Sequence, residues 1–142
     1  MSHPSQASLD LVAILRADYA RFPRDQTYSL YDPQVYFRDP LNEFRGLDRY
    51  RAMIASLERW LQDIHLELHD IHQSGNHIRS EWTLRGSLSF LPWRPRLCIP
   101  GWTEMRLNPA GLIESHIDHW RCSRWEVMLQ MFRPGDAKGS SE

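Results

Sequence analysis

Lysine and cysteine are almost absent from this chain. Lys138 is its only lysine, so nearly all of the 17 basic side chains are arginines, and 18 acidic side chains leave a formal net charge of −1. The arginines are spread singly along the chain rather than clustered. This pattern excludes the continuous basic surface that nucleic-acid binding or attraction to an anionic membrane requires, so we expect neither partner.

Long apolar runs and metal-ligand spacings are also lacking. No apolar stretch approaches the length of a membrane span, and the first residues lack the pattern of a secretory signal. Cys98 and Cys122 have no metal-ligand spacing and are too few for a disulfide framework. We therefore expect a cytoplasmic protein with no membrane span, metal site or cofactor.

Aromatic side chains are abundant in a chain of otherwise ordinary globular composition. Of 142 residues, 42% are hydrophobic and 25% charged, which is typical of one folded domain. Six tryptophans, five phenylalanines and five tyrosines either fill its core or line a pocket for a flat hydrophobic ligand. We place the domain at residues 9–132, between polar ends at 1–8 and 133–142 that we expect to be disordered.

The period of the apolar residues changes after the long helix predicted over 47–61. Up to residue 61 it is mostly helical, and from Ile64 onward apolar and polar residues alternate as in a half-buried strand. Helices are predicted over 9–22, 26–31, 47–61 and 123–132, and strands over 35–39, 64–69, 78–90, 97–107 and 112–120. Segregated helices and strands predict an α+β fold. We expect a curved antiparallel sheet that wraps around the long helix and forms a cone-shaped pocket.

Three short motifs between the first two long helices carry a resemblance to a known family. Tyr31-Asp32-Pro33, Phe37-Arg38-Asp39-Pro40 and Phe44-Arg45-Gly46, in this order of elements, resemble the nuclear-transport-factor-2-like superfamily. The ketosteroid-isomerase and SnoaL-type polyketide-cyclase branches are the most similar. The resemblance covers residues 9–132, and the whole chain also resembles an uncharacterised family from photosynthetic organisms.

This resemblance implies roles for five residues. Asp39, which precedes a proline at the end of the short strand, is similar to the general base of ketosteroid isomerases. Tyr19 and Thr103 lie where that family places its two donors to the developing oxyanion, although the second is an aspartic acid there. Polyketide cyclases place an acidic base in a short run on the last strand, and His116 and Asp118 are similar to residues of that run.

The pattern of residues leads independently to the last strand. His116, Asp118 and Trp120 alternate and therefore share one side of it. An imidazole, a carboxylate and an indole on the same side of a strand favour a position in the wall of a partly hydrated cavity. The alternative is a structural ion pair or a surface patch. We place four further side chains in this pocket: Trp60, Trp82, Thr103 and Met105.

Several of these residues also have an ordinary structural explanation. Asp39 could simply close a turn, and Tyr19 could be a core tyrosine. Thr103 and Trp102 alternate, so they face opposite sides. The resemblance places Thr103 inside, which implies that Trp102 lies on the outer face, where an exposed indole suggests a subunit contact and a homodimer. His65 and His69 lie on a wet face without a third ligand, so no metal site is indicated.

Two functions remain open at this point. One is a cofactor-independent isomerase, cyclase or dehydratase that acts by general acid–base catalysis on a hydrophobic or polycyclic substrate. The other is a non-catalytic binder of a flat hydrophobic ligand, or a dimeric accessory domain. Whether the protein is an enzyme does not follow from the sequence.

Overall fold

The computed structural model describes residues 6–135, which form three helices and a six-stranded sheet. The helices are α1 (Gln6–Arg21), α2 (Leu47–Trp60) and α3 (Arg124–Phe132). The strands are β1 (Tyr31–Arg38), β2 (Glu43–Arg45), β3 (Gln62–Ser74), β4 (His77–Ser87), β5 (Arg96–Leu107) and β6 (Ile113–Trp120). The predicted α+β fold class and order of the long elements are confirmed.

The sheet has the strand order β2-β1-β6-β5-β4-β3. Strands β3 to β6 follow one another as an antiparallel meander, as the alternating pattern predicts. One pair differs from the prediction, because β1 lies parallel to β6. These two strands are far apart in the chain, so no hairpin turn forces them to be antiparallel. The early strands β1 and β2 thereby extend the meander beyond β6.

The concave side of the sheet carries the core. On β5, Ile99, Gly101, Thr103, Met105 and Leu107 are buried, and the residues between them are not. Because successive side chains of a strand point to opposite sides of the sheet, every second residue of β5 faces the core. Along β3 the alternation is broken by a bulge between Leu68 and Asp70, an extra residue that changes which side the following residues face.

The structure corrects several predicted boundaries. The helix predicted over 26–31 is a single 3-10 turn, Tyr28–Leu30, and Tyr31 already begins β1. Strand β2 was not predicted, since three residues are too few to show a period. Strand β4 ends at Ser87 rather than at residue 90.

Both chain ends that we expected to be disordered lie largely outside the described residues. Where they are described, α1 begins at Gln6 and the backbone N–H of Gly135 donates to the carbonyl of Trp93 over 2.8 Å. Of the helices between residues 6 and 135, none has the length and apolar character needed to cross a membrane.

Candidate functional site

A cavity of about 350 Å³ lies between the concave side of the sheet and the three helices. The nine residues predicted from the sequence for the catalytic site and pocket all line it: Tyr19, Asp39, Trp60, Trp82, Thr103, Met105, His116, Asp118 and Trp120. Three apolar lining residues, Leu41, Trp60 and Met131, are also exposed to solvent. They mark the open end of the cavity, which we call the mouth.

The carboxylate of Asp118 is held from two sides through one oxygen. Thr103, its partner across β5 and β6, donates its hydroxyl to Asp118 Oδ1 over 2.6 Å. His116 Nε2 lies 2.9 Å from the same oxygen. Within the described part of the chain, no donor reaches Asp118 Oδ2. One oxygen is therefore fixed and the other remains available to a molecule in the cavity.

The direction of the Thr103 hydroxyl is set by Trp82. The indole N–H of Trp82 donates to Thr103 Oγ1 over 2.8 Å, so this hydroxyl accepts from the indole and donates to Asp118. We expected Thr103 to donate to a substrate oxygen, and its single proton is already engaged. The arrangement instead makes Thr103 an orienting partner of Asp118.

Trp82 can take this position because its partner on β5 is Gly101. A Cβ atom on Gly101 would lie 2.7 Å from Cη2 of the indole and 2.3 Å from the carbonyl oxygen of His119. Both distances are far below van der Waals contact. The absence of a side chain at this one position therefore lets the indole lie across β5 and reach Thr103.

His116 is buried and connects Asp118 to two tyrosines. The hydroxyl of Tyr31 lies 3.3 Å from His116 Nδ1, and that of Tyr50 lies 3.5 Å from Tyr31. Burial raises the pKa of both phenols, so they remain protonated donors. An ionised Asp118 can only accept, so a neutral His116 carries its proton on Nε2 and accepts from Tyr31 at Nδ1.

Tyr19 places a further protonated hydroxyl near Asp118. It projects from α1 and makes a 2.6 Å hydrogen bond with Ser80 Oγ on β4. Burial raises the pKa of Tyr19, the hydrogen bond from Ser80 opposes this, and the charge of Asp118 raises the pKa further. Tyr19 is thus a neutral donor or acceptor in the wall of the cavity.

Asp39 closes the β1–β2 turn and also lines the cavity. Its Oδ1 accepts from the backbone N–H groups of Leu41 and Asn42 over 2.8 and 2.6 Å, which is the turn role considered from the sequence. Burial raises the pKa of Asp39, while those hydrogen bonds oppose the shift. The charge of Asp118 raises it further, so the two carboxylates interact across the cavity.

The outer side of the sheet holds the residues that we placed there. Trp102 is half-buried, stacked on His119 at a centroid distance of 4.6 Å and covered by the guanidinium groups of Arg79 and Arg121. His69 Nε2 forms a 2.8 Å hydrogen bond with Thr83. Among the described residues, no group of three potential ligands is arranged to hold a metal ion.

Four residues of the site were not predicted from the sequence. Tyr31 and Tyr50 support His116, Ser80 binds Tyr19, and Asp18 is buried in the cavity wall, where it accepts from Arg21 over 2.6 Å. An aspartate within the apolar stripe of α1 was a usable signal, because a buried carboxylate needs a partner. The tyrosines gave no such signal, since they look like ordinary core residues.

Solved structures with the same fold come from several bacteria. A SnoaL-like polyketide cyclase from Jannaschia sp. aligns with a TM-score of 0.73 at 14% identity, over 95% of this chain and 100% of that one. A ketosteroid-isomerase-like protein from Catenulispora acidiphila, in complex with trimethylamine, aligns at 0.68 and 17% over 88% and 94%. An epoxide hydrolase from M. tuberculosis, of the LEH-like type, aligns at 0.62 and 13% over 89% and 90%.

Identities this low show the shared nuclear-transport-factor-2-like fold, which hosts many chemistries, and no particular reaction. A search of curated proteins finds no match. The expected origin in photosynthetic organisms stays a prediction. Residues 9–116 match the family described as "Uncharacterized conserved protein (DUF2358)", and the chain therefore belongs to that family.

Proposed function

We propose that this protein is a cofactor-independent acid–base catalyst for a hydrophobic substrate, with Asp118 as the general base. The observation that carries the proposal is the asymmetry of the Asp118 carboxylate. Thr103 and His116 both bind Oδ1, and no donor among the described residues reaches Oδ2 of this cavity-lining residue. A carboxylate fixed in this way is positioned to take a proton from a bound molecule.

Asp39 is the matching acid in this proposal. Its pKa is raised by burial, so it keeps its proton to a higher pH than an exposed aspartate does. Two carboxylates with different surroundings in one cavity are a recurrent arrangement for paired acid and base roles. The resemblance to ketosteroid isomerases suggests that Asp39 is the general base. In this proposal Asp39 is the general acid instead.

In the proposed step, Asp118 takes a proton from the substrate while an oxygen atom of the substrate gains negative charge. Asp118 Oδ2 removes a proton from carbon or hydroxyl, and the electron pair left behind forms the new π or C–O bond. At the same time a C=O π bond or the C–O bond to a leaving oxygen breaks, and its electron pair moves to that oxygen. The oxygen that gains charge receives a hydrogen bond from Tyr19 or a proton from Asp39. Isomerisation, ring closure and dehydration all fit this scheme. Cyclase-like and epoxide-hydrolase-like proteins with this fold support the proposal.

A non-catalytic binder is the second candidate function. The observation that favours it is the wall of the cavity, where Trp60, Trp82 and Trp120 join apolar side chains from every helix. Such a wall suits a flat hydrophobic ligand. Native mass spectrometry of protein freshly isolated from its source tests this candidate, because a binder retains its ligand and a catalyst releases its product.

The catalytic proposal is tested by deuterium exchange from solvent into a panel of enolisable cyclic ketones and fused-ring enones. We expect exchange that depends on the protein and falls by about 10²–10⁴-fold in Asp118→Asn, which preserves the shape of the side chain. Asp70→Asn, an exposed carboxylate on β3, is the matched control and keeps full activity. Full activity in Asp118→Asn contradicts the assignment, and a ligand retained without any exchange favours the binder.

A further inference from the structure

The charged groups in the wall of the cavity are of one sign. Asp18, Asp39 and Asp118 line the cavity, and among the described residues no lysine or arginine lines it. His116 also lines it, and in the neutral form it supplies a hydrogen bond to Asp118 but no charge. A molecule bound in the cavity is therefore surrounded by carboxylates and meets no permanently basic side chain.

Of these three carboxylates, Asp18 alone is paired with an arginine. Arg21 Nη2 lies 2.6 Å from Asp18 Oδ1, and Thr27 also donates to this carboxylate through its backbone N–H and its hydroxyl. Within residues 6–135, no arginine or lysine forms an ion pair with Asp39 or Asp118. Removing a carboxylate from water costs free energy unless a positive partner replaces the water. A positive group in the cavity would offset this cost.

The negative charge of Asp118 acts on groups in several parts of the cavity wall. Burial is the main cause of the raised pKa of Tyr19 on α1, Tyr50 on α2 and Asp39 in the β1–β2 turn. The charge of Asp118 on β6 raises each of these pKa values further. The field of this carboxylate therefore extends across the cavity, where it attracts a cation and repels an anion.

Two indole rings lie close to Asp118 on the concave side of the sheet. Trp120 is two residues from Asp118 on the same side of β6, a separation of roughly 7 Å along the strand. The partner of Trp120 on β5 is Gly101, over which the indole of Trp82 passes to reach Thr103. Trp120 packs against the apolar cluster that contains Trp82. Indole rings attract positive charge, most strongly in a place shielded from water.

We infer that the hydrophobic ligand of this cavity carries a positively charged nitrogen, which binds beside Asp118 and against the indoles of Trp82 and Trp120. The inference rests on the proposed function in taking this cavity as the ligand site. Because Trp120 is displaced from Asp118 along β6, the nitrogen can contact a ring while Oδ2 remains free for a neighbouring carbon of the same ligand. The positive charge then stabilises the negative charge that develops when that carbon loses its proton.

The experiment compares three bicyclic ketones of one shape. Tropinone carries a protonated N-methyl nitrogen at neutral pH. Its carbocyclic isostere has CH in place of the N–H group, and the third ketone has a carboxylate in place of the methyl group of that isostere. Dissociation constants are measured from the NMR signals of the indole N–H groups. We expect tropinone to bind about tenfold more tightly than the isostere, and the carboxylate to bind more weakly than both.

Variants test the charge and the ring separately, through the ratio of the affinities for tropinone and for the isostere. In Asp118→Asn we expect this ratio to fall to about twofold or less, because the amide attracts a cation only weakly. Trp120→Leu keeps an apolar side chain and lowers the ratio by about threefold. Asp70→Asn, an exposed carboxylate outside the cavity wall, is the matched control and leaves the ratio unchanged. Circular dichroism checks that each variant is folded.

Three outcomes overturn the inference: none of the three ketones binds, the isostere or the carboxylate binds as tightly as tropinone, or Asp118→Asn retains the ratio of the parent. Failure of the proposed function gives a different result. Tropinone that binds tightly and undergoes no deuterium exchange would leave the cation site and remove the catalyst. Exchange into the isostere without any preference for tropinone would leave the catalyst and remove the cation site.

Discussion

Thr103 Oγ1 lies 2.6 Å from Asp118 Oδ1, and the same hydroxyl accepts the indole proton of Trp82. Thr103 is 2% exposed, so water cannot replace either hydrogen bond. A chain of donors thus runs from a tryptophan in the middle of β4, through a threonine on β5, to a carboxylate on β6. The position of the proposed base depends on all three strands.

Thr103→Val removes this hydroxyl and keeps the volume of the side chain. The Trp82 N–H and the Asp118 carboxylate each lose a partner in a buried place. We expect the free energy of unfolding to fall by about 1–3 kcal/mol in urea denaturation. Thr103→Ser retains the hydroxyl and recovers most of the loss. A valine variant as stable as the parent would show that the hydrogen bonds contribute nothing.

Gly101→Ala tests the contact between Gly101 and Trp82. The new Cβ meets the indole and a backbone carbonyl that cannot rotate away. We expect a loss of about 1–3 kcal/mol of stability and an altered near-ultraviolet circular dichroism signal from the displaced indole. Gly86→Ala on β4, where the nearest atom lies 3.6 Å away, is the control. Equal effects of the two substitutions would argue against the specific clash.

Asp39→Asn changes how stability depends on pH. The pKa of Asp39 is raised by burial above its ordinary value of 3.8. Its contribution to stability is therefore fully present below that value and is lost as pH rises through the higher folded pKa, because the folded state disfavours the charge. Asparagine carries no charge and retains the Oδ1 acceptor.

We therefore expect the stability of Asp39→Asn relative to the parent to increase with pH over this window and then level off. Thermal unfolding of both proteins from acidic to neutral pH measures this difference. A difference that falls as pH rises would mean that the pKa of Asp39 is lowered.

Tyr31→Phe removes the hydroxyl that faces His116 Nδ1 and leaves the ring in place. We expect a loss of stability of about 1 kcal/mol and a shift in the tautomer balance of His116, measured by nitrogen NMR of the imidazole. Tyr36→Phe, whose hydroxyl donates to the exposed Glu43 carboxylate over 2.7 Å, is the control. An unchanged His116 spectrum would remove Tyr31 from the network.

The homodimer remains a prediction, with the outer side of the sheet as its contact. Trp102 on that side is half-buried, because Arg79, Arg121 and His119 cover its ring. Sedimentation of the full chain is expected to show a dimer that Trp102→Ala weakens. A monomer at concentrations on the order of tens of micromolar would contradict it, since a specific interface of ordinary size associates below that range.

The alternation of side chains along the strands was readable from the sequence. His116, Asp118 and Trp120 share a side of β6, and Thr103 shares its side of β5 with Met105, because successive Cβ atoms of a strand point in opposite directions. This alternation does not determine which strands pair with each other in the sheet. For that reason the parallel pairing of β1 with β6 was not predicted.

By itself, the sequence determined the order of the long elements, the fold class and which residues share one side of a strand, since these follow from periods of two and 3.6 residues. Only the tertiary structure decided which groups meet. Tyr31 reaches His116 across 85 residues of chain, and Thr103 directs its proton to Asp118 rather than into the cavity.

The same holds for α3. Its apolar side chains face outward, although their spacing alone is typical of a core helix. This orientation depends on how α3 docks on β5 through Gln130, a contact between distant parts of the chain that local periodicity does not contain.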